Sequence, residues 1–98
     1  MTPMTAPTRT LSRTVTIVNA LGLHARSAAR IAMIAGRGIG SIWIERGEDR
    51  VNATSVIDIL TLGCPQGGRV TVIVDKADDS DVLEDIVALI QSGFGESE

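Results

Sequence analysis

Apolar and polar positions along the 98 residues fall into short periodic stretches broken by glycine and proline. Thr14-Val15-Thr16-Ile17-Val18-Asn19 is a β-branched run and predicts a strand. From Ser27 to Ala35 the apolar residues Ala28, Ile31, Ala32 and Ala35 recur at the spacing of one helix face, and Gly36 and Gly38 end it. Ser41 to Glu45 alternates weakly as a second strand. Gly47 to Asp49 turns the chain, and Arg50 to Ala53 returns, which predicts a hairpin. Ser55 to Leu62 predicts a short helix with Val56, Ile59, Leu60 and Leu62 apolar, stopped by Gly63 and followed by the loop Pro65-Gln66-Gly67-Gly68. Arg69 to Asp75 is the most hydrophobic strand and is expected at the sheet centre. Asp78, Asp79, Ser80 and Asp81 suit the cap and the positive end of a last helix, whose inner face holds Val82, Ile86, Leu89 and Ile90 and which Gly93 ends.

The order β-α-β-β-α-β-α predicts an α+β fold, a four-stranded, mainly antiparallel sheet with three helices on one face. Residues 1–12, rich in Thr, Pro, Ser and Ala, read as a flexible arm, 13–94 as one domain and 95–98 as a tail.

Composition narrows the functions open to such a fold. Trp43 and Phe94 are the only aromatics, so the core must be aliphatic and base-stacking modules are disfavoured. A net charge of −3 without any basic run argues against a nucleic-acid partner. No apolar stretch is long enough to span a membrane, and the N-terminus lacks an apolar leader core, so a cytoplasmic location is expected. A lone cysteine, Cys64, fits a reducing compartment and forms no internal disulfide. One histidine and one cysteine forty residues apart make no metal-ligand spacing, and no cofactor is implied.

The candidate chemistry sits in Gly22-Leu23-His24-Ala25-Arg26, between the first strand and the first helix. His24 is the only histidine in the chain. An imidazole at a helix N-terminus can act as a neutral nucleophile near pH 7. The unpaired amides of the opening turn, at Ala25, Arg26 and Ser27, and the helix dipole favour an anion there. The Arg26 guanidinium can add charge-assisted bonds to phosphate oxygens. Ser55 reads most simply as an N-cap of the second helix.

These residues and the element order resemble the family of histidine-containing phosphocarrier proteins, HPr. Gly22-Leu23-His24-Ala25-Arg26 is similar to the family's active-site loop, and Asn52-Ala53-Thr54-Ser55-Val56-Ile57-Asp58-Ile59-Leu60-Thr61-Leu62-Gly63 to its regulatory-serine helix. Gln66-Gly67 before a strand continues the match, and the ending from Val87 to Phe94 is most similar to the nitrogen-related NPr branch. The resemblance implies an open-faced β-sandwich and a phosphoenolpyruvate-dependent phosphotransferase system. In it His24 accepts phosphoryl on Nδ1 from phosphorylated enzyme I and passes it to an enzyme IIA domain. The chain would then be a monomeric carrier and not an enzyme. Arg26 would steady the phosphoryl oxygens. Ser55 aligns with a serine that a dedicated HPr kinase modifies in some bacteria. Partner docking would use Ala25, Ala29, Met33, Val56, Ile57 and Leu60.

Two departures stand out. The family commonly has proline after the arginine, and here the residue is Ser27. Met33, Gly36 and Asp58 stand where sugar-system carriers often have lysine, which bears on partner choice. Two other functions compete. An acylphosphatase would need a glycine-rich anion loop carrying an arginine, but Gly36-Arg37-Gly38-Ile39-Gly40 follows a helix instead of opening one. The alternative is an HPr-like regulatory binding module that carries no phosphohistidine; the presence of both His24 and Arg26 argues against it, while Ser27 in place of proline keeps it open.

Overall fold

The structure, a computed structural model, describes residues 10–96. Its elements are β1 (Leu11–Thr16), α1 (Ala25–Ala35), β2 (Ile42–Arg46), β3 (Asp49–Asn52), α2 (Val56–Leu60), β4 (Arg69–Val74) and α3 (Ser80–Gln91). Short 3-10 turns, Ala77–Asp79 and Gly93–Gly95, flank α3. One four-stranded sheet runs in the order β1-β4-β2-β3, and every pairing is antiparallel. β4 is interior, as its apolar sequence predicts, and it pairs from Leu11↔Val74 to Thr16↔Arg69 on one side and from Ile42↔Val74 to Glu45↔Thr71 on the other.

Strand alternation decides which face meets the helices. Val70, Val72 and Val74 of β4 and Ile42 and Ile44 of β2 are buried with Ile31, Ile59, Leu83, Ile86 and Ile90 in one aliphatic core. Each such side chain contributes about 1.5–3 kcal/mol by leaving water. Phe94 is the one aromatic residue in that cluster, at 1% exposure. On the other face Trp43 stands opposite Ile73, and the Arg50 guanidinium lies 5.1 Å from the indole centroid. That stacking covers apolar surface on the side without helices.

Element boundaries shift where tertiary bonds override local propensity. β1 begins at Leu11 and ends at Thr16, because that is the span β4 can pair. Leu11 and Ser12, expected in the arm, therefore belong to the sheet, and residues 1–9 of that expected arm lie outside the described residues. Ile17, Val18 and Asn19 leave the strand to begin the loop that carries His24. The helix α1 starts two residues earlier than its apolar spacing predicts, at Ala25.

The acidic cluster before α3 acts as expected only in part: Asp81 lies in the first turn, at the positive end of the helix, but the side-chain cap is missing. Asp79 stands at the N-cap position but makes no side-chain cap bond. Its buried carboxylate instead accepts the amides of Ile39, at 2.8 and 3.0 Å, and Gly40, at 2.8 Å. The glycine-rich loop after α1 is thereby filled by the protein's own anion. Asp79→Ala is expected to cost about 3 kcal/mol by leaving those amides without their charged acceptor. Chemical denaturation of the variant checks this, and an unchanged midpoint would contradict the role.

Candidate functional site

The loop from Ile17 to Leu23 is held by a second loop, Cys64 to Gly68. Ile17 donates to the Gly68 carbonyl at 2.8 Å, Gly67 donates back to the Ile17 carbonyl at 2.7 Å, and Leu23 donates to the Cys64 carbonyl at 2.9 Å. Gly22 lies in the left-handed region at φ 68°, and a Cβ there would stand 2.6 Å from the Cys64 carbonyl oxygen. Only glycine satisfies both conditions. Leu23 is buried, and the next residue is placed at the mouth of α1.

His24 is the N-cap of α1, with extended backbone (φ −125°, ψ 180°). Its Nδ1 accepts the Arg26 amide at 3.3 Å. Ser27 completes the cap from the other side. Its Oγ accepts the His24 amide at 2.9 Å and donates to the His24 carbonyl at 3.0 Å. The serine at the position where the family commonly has proline is fully buried and belongs to this reciprocal bonding. The imidazole is 23% exposed, so it is reachable from solvent yet supported on its inner side.

The other ring nitrogen has a partner that the sequence did not announce. Nε2 lies 2.5 Å from Oε2 of Glu96, a residue expected to sit in a free tail. Oε1 of Glu96 accepts from Asn19 Nδ2 at 3.0 Å, and the same amide donates to the Gly22 carbonyl at 2.9 Å. Only an amide nitrogen can make both bonds, which fixes the orientation of the buried Asn19 side chain. Hydrogen bonding from His24, assisted by that from Asn19 and by the charge of Arg26, holds the Glu96 carboxyl below its ordinary pKa.

The chain reaches this position through a hook after α3. Gly93, Phe94 and Gly95 all have positive φ, at 70°, 60° and 70°. For phenylalanine that conformation is strained, and burial of its ring in the core offsets the cost. The Arg30 guanidinium donates to the Phe94 carbonyl and ties the hook to α1. Leu21, Arg26 and Arg30, with Phe94 and Glu96 of the hook, line a hollow of 390 Å³. The only sequence signal for this was the Gly-Phe-Gly triplet, which alone shows a turn and not its destination.

The remaining predicted residues have these places. Ala25 is exposed and Ala29 half-buried on α1, while Met33 is 76% exposed. On α2, which packs against α1, Val56 is half-buried, Leu60 exposed, and Ile57 74% exposed. Leu21, on the loop before His24, adds an exposed apolar side chain that the sequence reading did not single out. Ser55 caps α2, its Oγ accepting the Asp58 amide at 3.2 Å. The Gly36–Gly40 loop offers no acylphosphatase-type anion site, since the Ile39 and Gly40 amides already face Asp79.

Two measurements follow from this geometry. Ser27→Ala removes the acceptor of the His24 amide and should lower stability by about 1 kcal/mol, read by chemical denaturation. The Glu96 contact should depend on pH with a defined sign. A carboxyl whose folded pKa is depressed stabilises the fold above its ordinary titration range, and that contribution is lost as pH falls through the depressed value. The groups facing it are His24, Asn19, Arg26 and Arg30. The carboxyl carbon NMR shift of Glu96, followed on acidification, should titrate below the range of a free glutamate.

Comparison with known proteins places the chain in a family. A family model described as the PTS HPr component phosphorylation site matches residues 11–92. Phosphocarrier protein HPr of Cupriavidus necator is 35% identical over 88 residues, covering 90% of this chain and 99% of the relative. Phosphocarrier protein NPr of Shewanella violacea is 38% identical over 87 residues, covering 89% and 96%. The crystal structure of HPr-C-His from Thermoanaerobacter tengcongensis superposes with a TM-score of 0.84 at 36% identity, covering 90% of this chain and 99% of that one. With a single aliphatic-core domain, an open antiparallel sheet and a histidine capping its first helix, the chain belongs to the HPr family, NPr included, as a phosphocarrier of the phosphotransferase system.

Proposed function

We propose that His24 carries the phosphoryl group, taking it on Nδ1 from phosphorylated enzyme I and relaying it to an enzyme IIA domain. The observation that supports this most directly is the aim of Nδ1 at the Arg26 amide in the opening turn of α1. A phosphoryl group on Nδ1 would displace that weak contact and meet the turn's amides from Ala25 to Ser27 and the positive end of the helix. Arg26 supplies a positive charge beside the phosphoryl oxygens. Transfer between carriers asks for alignment and charge neutralisation more than for covalent machinery. One arginine with helix amides holds the group without trapping it.

Docking uses the exposed apolar side chains Met33, Ile57 and Leu60, with Ala25, Ala29 and Val56 between them. The chain works as a monomer in the cytoplasm. Ser55 is the regulatory position: a phosphate on its hydroxyl would suit the helix end and put negative charge into the docking face, where it would oppose an acidic partner. An HPr kinase would be the modifying enzyme.

The test is incubation with enzyme I and phosphoenolpyruvate, using both sugar-type and nitrogen-type partners. The protein should gain one acid-labile phosphoryl group. His24→Ala should abolish labelling. Arg26→Ala should slow transfer about tenfold to a hundredfold while leaving the fold intact. Equal labelling of His24→Ala would overturn the assignment.

A further inference from the structure

The carboxylate of Glu96 meets the reactive ring on the nitrogen opposite the proposed nucleophile, and the chain is bent for that purpose. Three consecutive left-handed residues, Gly93, Phe94 and Gly95, reverse the backbone after α3. The buried Phe94 ring anchors the reversal, and Arg30 of α1 holds its carbonyl. Asn19 fixes the second carboxylate oxygen. A strained turn held at three points and ending on a lone histidine is a positioning device.

From the bonds on both ring nitrogens we infer that Glu96 is a positioning residue for phosphoryl transfer. It holds the proton of His24 on Nε2 and faces the positive charge that the ring acquires when Nδ1 is phosphorylated. The inference rests on the carrier role proposed for His24.

The chemistry follows from the hydrogen-bond polarities. Nδ1 accepts the Arg26 amide, so it carries the lone pair. Nε2 faces a carboxylate, which can only accept, so Nε2 carries the hydrogen. The lone pair on Nδ1 forms the N–P bond while the bond from phosphorus to the donor breaks, its electrons leaving with the donor. No proton has to move. The ring becomes a cation whose Nε2–H already points at a carboxylate. In onward transfer the N–P electron pair returns to Nδ1 and the ring is neutral again, with its hydrogen still on Nε2. The Glu96 charge is thus already in place for the state in which the ring is positive.

The experiment reads ring-nitrogen NMR shifts on the full, unphosphorylated chain, and then the initial rate of phosphoryl uptake from enzyme I. In the native chain the two ring nitrogens should show the widely separated shifts of a single Nε2–H tautomer at a pH where the ring is neutral. Glu96→Ala should draw the two shifts together, as both tautomers become populated, and should slow uptake about tenfold, the size of one charge-assisted hydrogen bond. Glu96→Gln keeps an acceptor for Nε2–H but drops the charge, so it should restore the separated shifts while uptake stays slow. Amide spectra of both variants establish that the fold is intact. If Glu96→Ala keeps native ring shifts, or loses them without slowing uptake, the positioning role is wrong. If the native chain takes up no phosphoryl at all, the carrier reading fails and the transfer role fails with it, while the ring shifts still decide whether Glu96 holds the tautomer.

Discussion

Everything in this site depends on one arrangement, an imidazole acting as a helix N-cap. Histidine is not among the strongly favoured N-cap residues, because its acceptor nitrogen sits on a rigid ring and not on a short flexible arm. The chain accommodates it with a serine three residues on, which supplies the reciprocal backbone bond. The cap and the proposed phosphoryl acceptor are therefore the same atoms. Local helix stability and the direction of Nδ1 cannot be adjusted separately, and Ser27 belongs to both.

The sheet and the core set the stage for that cap. The β4 strand pairs on both edges and fixes where β1 must end, which fixes where the loop to His24 must start. The Cys64–Gly68 loop precedes β4 and bonds the His24 loop directly. Strand register is thus passed to the His24 ring through three backbone hydrogen bonds. Loops held this way can carry a functional group on a rigid scaffold while leaving one side open to a partner.

Much of this was legible in the sequence, and the failures have physical causes. The β-branched run of β1, the apolar spacing of α1 and the continuous apolar strand β4 each carry a periodicity that survives tertiary packing. His24 and Arg26 could be placed at a helix start because strand, glycine and helix signals bracket them. Asp79 was misread because a carboxylate beside a helix start looks like a cap, and only the fold brings the Ile39 and Gly40 amides within its reach. Glu96 was missed for a related reason. Gly93 and Gly95 announce that the chain turns, but the direction depends on where Phe94 finds a buried place and on Arg30 from a distant helix. Asn19 was read as the end of the first strand, since nothing local shows that its amide will join Gly22 to Glu96.

The hook after α3 also makes the two ends of the domain unequal for anyone who would build on it. β1 runs from Leu11 towards the His24 loop, so its first residue lies at the end of the strand remote from the imidazole. Glu96, by contrast, touches the ring itself. A fluorophore or affinity handle joined ahead of Leu11 departs from the far edge of the sheet. The same handle placed directly after Glu96 would leave the domain beside the imidazole.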